Sequence, residues 1–265
     1  MPVTGRDFRI RADVEVANLS DVGCERTGNE DYFLYIEPQG DDEFRRCGRL
    51  ILVADGMGGQ NGGEVASRLA AEIVRDLFVR AGDADDPRSV LIAGFQAAHH
   101  AILGLAGETP ELRGMGTTCC AAILKQGHMY YAHVGDSRIY LIRGGTAQQL
   151  TEDHSLVARM VRDGILTPEE AENHDQRNVL TAALGVNSDS VAGDFPVAPL
   201  ELVPEDIILL CTDGLHGLLS DREMALATAE QSLTDACREM VNLAKDRGGP
   251  DNITVQLLSV KCVET

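Results

Sequence analysis

The sequence predicts an α+β fold in one domain spanning residues 1–265, and three features carry that prediction. Short apolar runs of strand type recur along the chain, and two end on Asp followed by Gly. Residues 116–143 read as consecutive strands joined by tight turns, an antiparallel meander. Two successive segments place apolar residues at intervals of three and four, giving amphipathic helices able to cover a sheet. No period of roughly 20–50 residues is present, and no Ser-, Gly- or Pro-rich linker divides the chain.

Residues 1–12 form a polar, comparatively basic lead-in, and VEVANLSDVG (14–23) alternates apolar and polar as a half-buried strand does. GCERTGNED (23–31) is rich in turn formers, and YFLYI follows as a second strand. The rest of the chain is organised around LILVADGMGGQNGGE (50–64). Its run from Leu50 to Ala54 delivers one carboxylate, Asp55, and glycines at 56, 58, 59, 62 and 63 leave the neighbouring backbone bare. Bare backbone can approach an ion or a phosphate closely. Val65, Ala66, Leu69, Ala70, Ile73, Val74 and Leu77 then share one face of a helix.

Asp86 caps the next helix, Pro87 suits its first turn, and Leu91, Phe95, Ala98, Ile102 and Leu105 make its apolar face. His99 and His100 point about 100° apart on that helix, so they do not ligate one ion together and are expected at the surface. GTTCCAAILKQ, HMYYAHVG and RIYLIRG are the three strands of the meander, with turns at QG and GDSR. Asp136 lies in the second turn, where Asp is ordinarily an Asx-turn residue.

LTEDHSL (150–156) leads into a short helix through Met160 and Val161. TPEE (167–170) starts another, with Thr167 as cap, Pro168 in the first turn and Glu170 closing the box. The segment to about 178 is charged and poor in core residues, and reads as a mobile excursion, with His154 and His174 as caps or surface residues. VPEDIILLCTDGL (203–215) repeats the design of the central stretch: apolar run, Asp213, glycine. SDRE (220–223) is a second capping box. SLTDACREMVNLAK (232–245) is a helix whose face is Leu233, Ala236, Cys237, Met240 and Leu243, ended by Gly248-Gly249-Pro250. Asp251-Asn252 opens a last strand, ITVQLLSV.

A net charge of −19 and a pI near 4.6 disfavour nucleic acid and anionic membrane surfaces as partners. The same charge suits a site that gathers divalent cations, and equally a solvated surface. Seven cysteines, at 24, 47, 119, 120, 211, 237 and 262, show no CxxC spacing and read as reduced, buried thiols, not a disulfide frame or zinc site. MPVTGRDFRIRADVEV lacks the apolar stretch of a signal peptide, and no segment is expected to approach the length needed to cross a bilayer. A soluble, cytoplasmic protein is the expectation.

Asp31, Asp55, Asp136, Asp213 and Asp251 all lie at the ends of apolar strands or in turns between them. If those strands are neighbours, the acids gather at one rim, where a cation must relieve their repulsion. Ligands that are oxygen alone suit Mg²⁺ or Mn²⁺. Two such ions ~3.5–4 Å apart are a standard arrangement for hydrolysing a phosphate ester. Arg26 stands among Glu25, Glu30 and Asp31, and reads either as a surface salt bridge or as an anchor for phosphoryl oxygens.

SDVGCERTGNED, LVADGMGG, GMGTT, HVGDSRIY, LTEDHS, LLCTDGL and GGPDNIT, in that order across residues 20–254, resemble the PPM family, the metal-dependent type-2C protein serine/threonine phosphatases. The resemblance implies a four-layer α-β-β-α sandwich, two antiparallel sheets flanked by helix pairs, with 154–178 as a small flap touching substrate. It implies that Asp55 bridges two core Mn²⁺ or Mg²⁺ ions, with the Gly56 carbonyl as an added ligand. Asp213 and Asp251 would complete the first ion, and Asp31 the second, partly through waters. Glu30 could also reach a water on an ion, Asn252 would support the site, and Asp136 with Asp213 would hold a third, weaker ion. Arg26 would bind the substrate phosphate.

Members from eukaryotes often carry DGHGG, with the His proposed as general acid; here Met57 stands in its place, as in the bacterial branch, and Met has no proton to donate. The function implied is hydrolysis of phosphoserine and phosphothreonine in proteins by metal-activated water attacking in line, opposing a bacterial serine/threonine kinase. The partners expected are that kinase and its phosphorylated substrates, and the chain is expected to be a monomer. A catalytically weak binding module recognising a kinase or an anti-sigma partner is a second reading, against which the full set of acids tells. A metal-dependent nuclease or nucleotide hydrolase is a third, disfavoured by acidity and the lack of a basic patch.

Overall fold

All eight residues of the last strand, Ile253–Val260, are buried, because both faces of its sheet are covered. Its polar Thr254, Gln256 and Ser259 are buried with the rest, while the runs Leu50–Ala54 and Ile207–Cys211 are apolar throughout because each face finds its own core. The computed structural model describes residues 10–58, 62–83, 85–186, 191, 193–229 and 231–262. The lead-in residues 1–9 and Gly59, Gln60 and Asn61 of the glycine-rich stretch lie outside them.

The strands are β1 (Val14–Asp21), β2 (Asp31–Ile36), β3 (Arg49–Met57), β4 (Gly116–Thr117), β5 (Cys119–Lys125), β6 (His128–Val134), β7 (Arg138–Arg143), β8 (Thr146–Gln149), β9 (Leu200–Glu201), β10 (Ile207–Cys211) and β11 (Ile253–Val260). The helices are α1 (Asp41–Cys47), α2 (Gly62–Arg80), α3 (Pro87–Glu108), α4 (Leu156–Arg162), α5 (Pro168–Glu172), α6 (Asp213–His216), α7 (Asp221–Ala227) and α8 (Leu233–Asp246). One sheet runs β1-β11-β10-β7-β8 and the other β2-β3-β5-β6-β9, with β4 paired to the end of β3; all pairings are antiparallel.

Three apolar layers hold this four-layer sandwich together. Along β3, Leu50, Leu52 and Ala54 face α2 and α3, where they meet Ala66, Ala70, Phe95 and Ile102. Ile51 and Val53 face the other way, into the layer between the sheets, against Ile139, Ile208, Leu210 and Leu258. On the far side Leu209, Cys211 and Leu257 pack on Ala236, Met240 and Ala244 of α8. The expected α-β-β-α order is the one observed.

The caps are as the sequence predicts: Asp86 accepts from Ser89 N–H, and Thr167 with Glu170 and Ser220 with Glu223 form complete capping boxes. Several expectations are corrected. The three-strand meander is not formed, because β6 pairs with β5 in one sheet while β7 pairs with β10 in the other. The GDSR turn therefore carries the chain between sheets. Gly135 makes the step at φ 101°, and a Cβ there would lie 2.5 Å from the Thr118 side chain. The helix expected from residue 65 begins at Gly62. His99 is 1% exposed, not at the surface, and its Nδ1 accepts from Gly185 N–H at 3.1 Å.

Cys24 and Cys262 are exposed, whereas the other five free cysteines are buried. Pro87–Glu108 is long and apolar enough by composition to cross a membrane, so the expectation that no segment approaches that length is corrected; Leu91, Phe95, Ala98 and Ile102 nevertheless belong to the core of the sandwich. α1 went unpredicted; its acids Asp41, Asp42 and Glu43 and bases Arg45 and Arg46 sit at the ends that the helix dipole favours, with Phe44 and Cys47 buried. In the excursion, α4 and α5 together bury one side chain, Val157.

Candidate metal and phosphate site

The run Arg49–Met57 ends at the rim of its sheet and places Asp55 directly opposite Asp31 of β2. Both are locked by backbone. Asp55 N–H donates to Thr118 Oγ1 at 2.9 Å, and its carbonyl accepts from Thr118 N–H at 2.8 Å and from Thr117 Oγ1 at 2.9 Å. Gly56 N–H donates to the Glu30 carbonyl at 3.1 Å. A Cβ on Gly56 would lie 2.1 Å from the Gly63 carbonyl oxygen, so only glycine lets α2 approach the acid strand this closely.

The second sheet brings Asp213, the first residue of α6, and Asp251, just before β11. Thr212 ties the two sheets where they meet: its hydroxyl donates to Asp31 Oδ2 at 2.9 Å and accepts from Thr254 N–H at 3.1 Å. Asp136 sits on the crossing turn. The carbonyl of Asp136 accepts from His216 Nε2 at 2.9 Å, and the next residue, Ser137, shares a 2.7 Å hydroxyl contact with Thr118.

Arg26 Nη2 pairs with Asp251 Oδ2 at 2.8 Å rather than with Glu25, Glu30 or Asp31, and its side chain is half exposed. Asn252 fixes the loop that carries it. Its Oδ1 accepts from Glu30 N–H at 2.8 Å, and its Nδ2 donates to the carbonyls of Val22 and Gly28 at 3.0 Å.

Arg26, Asp55, Asp136, Asp213 and Asp251 line a cleft of about 530 Å³. Leu180, Thr181, Ala182 and Ala183, just after the charged excursion, line it too. Asp31 lies beneath the cleft surface, 8% exposed. All five acids expected at one rim are therefore brought together, with Glu30, Gly56, Arg26 and Asn252 beside them.

The electrostatics of the cluster are unfavourable as the protein stands. Burial pushes Asp31 up to about 7 against hydrogen bonds from Thr254 and Thr212, with Asp213 and Asp251 adding repulsion. Asp136 is pushed up to about 8 by burial, then by Asp213 and Asp153. Burial and four neighbouring acids raise Asp55, and burial with Asp251 raises Asp213. Burial also raises Glu30, against the pull of Arg26. Desolvation holds His216 down to about 4, so it is a neutral donor to Asp136.

Asp31 Oδ1 and Asp213 Oδ1 are buried and have no hydrogen-bond partner. Converging carboxylates with unpaired oxygens and no Cys or His among them fit hard divalent ions. Thr212, Thr118, Ser137 and His216 went unpredicted as site residues. Each lies within or beside a motif already singled out, since Thr212 directly precedes Asp213, Thr118 belongs to GMGTT and Ser137 to GDSR.

Two packed antiparallel sheets presenting carboxylates and one arginine at a shared rim define a metal-assisted hydrolase of anionic esters. Comparison with known proteins gives the particular class. Residues 29–257 match the family model described as Protein phosphatase 2C. The chain is 39% identical over 253 residues to Protein phosphatase PhpP of Streptococcus pneumoniae, covering 93% of this chain and 98% of that protein. It is 38% identical over 213 residues to Serine/threonine phosphatase stp of Listeria welshimeri, covering 79% and 83%.

Among solved structures, the S. agalactiae serine/threonine phosphatase superposes with a TM-score of 0.85 at 34% identity, over 94% of this chain and 100% of that one. The catalytic domain of PstP, solved in complex with two manganese ions, superposes with a TM-score of 0.79 at 32% identity, over 94% and 98%. The chain belongs to the protein phosphatase 2C family, and is a protein serine/threonine phosphatase.

Proposed function

We propose that the chain hydrolyses phosphoserine and phosphothreonine in proteins with two Mn²⁺ or Mg²⁺ ions held by Asp55, the Gly56 carbonyl, Asp31, Asp213 and Asp251. The observation that supports this most is the meeting of Asp31, Asp55, Asp136, Asp213 and Asp251 with buried, unpaired oxygens among them. Asp136 and Asp213 would share a third, weaker ion. When bound, the ions polarise the phosphoryl group and lower the pKa of a water to make a nucleophile.

The chain's own residues then do the rest. Arg26 stands half exposed at the mouth, held by Asp251, and offers a guanidinium fork to phosphoryl oxygens. Glu30 lines the cleft and would reach a water on an ion there, and Asn252 fixes the Arg26 and Glu30 segment. Thr212 and Thr118 orient Asp31 and Asp55. Met57 lines the cleft and has no proton for the leaving alkoxide, so that proton comes from a water or another acid. Residues 154–178 act as a flap over the substrate.

The chain works as one domain and a cytoplasmic monomer, opposing a serine/threonine kinase whose phosphorylated substrates it shares. Arg26→Ala is expected to raise KM for p-nitrophenyl phosphate with kcat little changed, because the guanidinium binds ground and transition state alike. An unchanged KM would return Arg26 to a salt-bridge role. The net charge of −19 repels acidic peptides at long range. Phosphopeptides with basic flanks are expected to show higher kcat/KM, the advantage shrinking in about 1 M salt. Equal rates across a charge-varied set would refute it.

A further inference from the structure

A second group of metal-ligating side chains lies outside the acid cleft, where the charged excursion leaves the body and the chain returns. His133 stands near the end of β6, His154 just ahead of α4, and Asp194 on the returning segment. His133 Nδ1, His154 Nε2 and Asp194 Oδ2 lie within 4.8 Å of one another. Main chain alone fixes their backbones. His133 and Asp194 exchange both backbone hydrogen bonds, at 3.1 and 2.9 Å, and His154 N–H donates to the Gly135 carbonyl at 2.8 Å.

His133 is 1% exposed. Its Nε2 donates to the Glu152 carbonyl at 2.7 Å, which leaves a lone pair on Nδ1. That Nδ1 is buried, has no hydrogen-bond partner, and faces Asp194 Oδ2 across 4.0 Å. Two electron-pair donors opposed at the edge of a buried ring repel, and a cation between them turns the repulsion into attraction. An imidazole whose far nitrogen donates to a backbone carbonyl is the usual presentation of a metal-ligating histidine. His154 Nε2 lies 3.4 Å from the same Asp194 oxygen, and its ring stacks on His133 at 4.5 Å with planes inclined by 23°. Burial and the neighbouring His154 push the His133 pKa down, which keeps the ring in its neutral, ligating form.

We propose that His133, His154 and Asp194 bind one borderline transition-metal ion of the Zn²⁺ or Co²⁺ type, joining the start of the excursion, the sheet and the returning segment. Two imidazoles and one carboxylate select a different metal from the oxygen-only cleft, and three protein ligands leave a fourth position for water. Asp194, 58% exposed in its side chain, opens that position to solvent. Closing the 4.0 Å gap needs turns of the rings about Cβ–Cγ, a soft torsion. Two contacts give way, the 3.2 Å one from Gly135 N–H to His154 Nδ1 and the 3.4 Å one from His154 Nε2–H to Asp194 Oδ2, so that His154 binds as its Nδ1–H form.

The test titrates Co²⁺ into the full chain in excess Mg²⁺, read by calorimetry and by the visible absorption of low-coordinate Co²⁺, with Zn²⁺ as competitor. One Co²⁺ per chain is expected, displaced by Zn²⁺. Asp194→Asn and His154→Gln are each expected to weaken it by at least about tenfold, while exposed His100→Gln leaves it unchanged. Asp194→Asn removes an exposed carboxylate, so loss of the fold does not confound the result. A chain that takes up no Co²⁺ in excess Mg²⁺, or one whose Co²⁺ affinity is unmoved by both substitutions, overturns the proposal.

Discussion

Asp213→Asn is expected to lower kcat/KM for p-nitrophenyl phosphate by about three orders of magnitude, with the fold intact. Asp213 raises both Asp55 and Asp136 by its charge, so that charge serves every ion the cleft would hold. Losing ~4 kcal/mol of transition-state charge stabilisation corresponds to about a thousandfold in rate. The amide is nearly isosteric and relieves repulsion with Asp251, so circular dichroism should be unchanged and ion-free thermal stability equal or higher. Steady-state kinetics at saturating Mn²⁺ make the measurement. Activity within about threefold of the parent would remove Asp213 from the chemistry.

The second large effect is on stability, and its sign follows from the raised carboxyls. Asp31 moves from 3.8 to about 7 and Asp136 from 3.8 to about 8 on folding, and Asp55 and Asp213 move the same way. Between the unfolded and folded values the folded protein keeps protons the unfolded chain has released. Its stability therefore falls as pH rises through that window. His216 acts oppositely: lowered from 6.5 to about 4, it favours the folded state increasingly as pH rises to 6.5. The diagnostic range is thus about pH 6.5 to 8, over which Asp31 and Asp136 together remove on the order of 2 kcal/mol of stability. Melting curves in EDTA are expected to fall across that range. Excess Mn²⁺ should flatten the fall and raise stability by about 2.7 kcal/mol at a hundredfold excess over Kd. An ion-free protein equally stable across the range, or more stable at its upper end, would contradict the electrostatic description.

What was legible in the sequence was local. Asp55 and Asp213 stand out because an apolar run ending on an acid and a glycine is a pattern of neighbours, and the caps at Asp86, Thr167 and Ser220 need only residues within one turn. What was not legible depends on distant partners. Asp136 alone is an ordinary turn residue; its place follows from a crossing between sheets that Gly135 permits. The crossing was hidden because β6 and β7 are both apolar and only three residues apart, as in a hairpin.

Thr212 takes its role from Asp31, 181 positions away, and no local rule joins them. His99 is different. It lies four residues after Phe95 and three before Ile102, so helical periodicity already puts it on the buried face. Arg26 shows the same limit: its sequence neighbours are acids, yet the acid it meets is Asp251.

The central claim is that carboxylates scattered from residue 31 to residue 251 converge to hold two divalent ions about Asp55. Equilibrium Mn²⁺ binding, followed through the EPR signal of free Mn²⁺, tests it most directly in the full chain and in Asp55→Asn. Two tightly held Mn²⁺ per chain are expected for the parent, and none for the variant. Two ions still bound tightly by Asp55→Asn would contradict it.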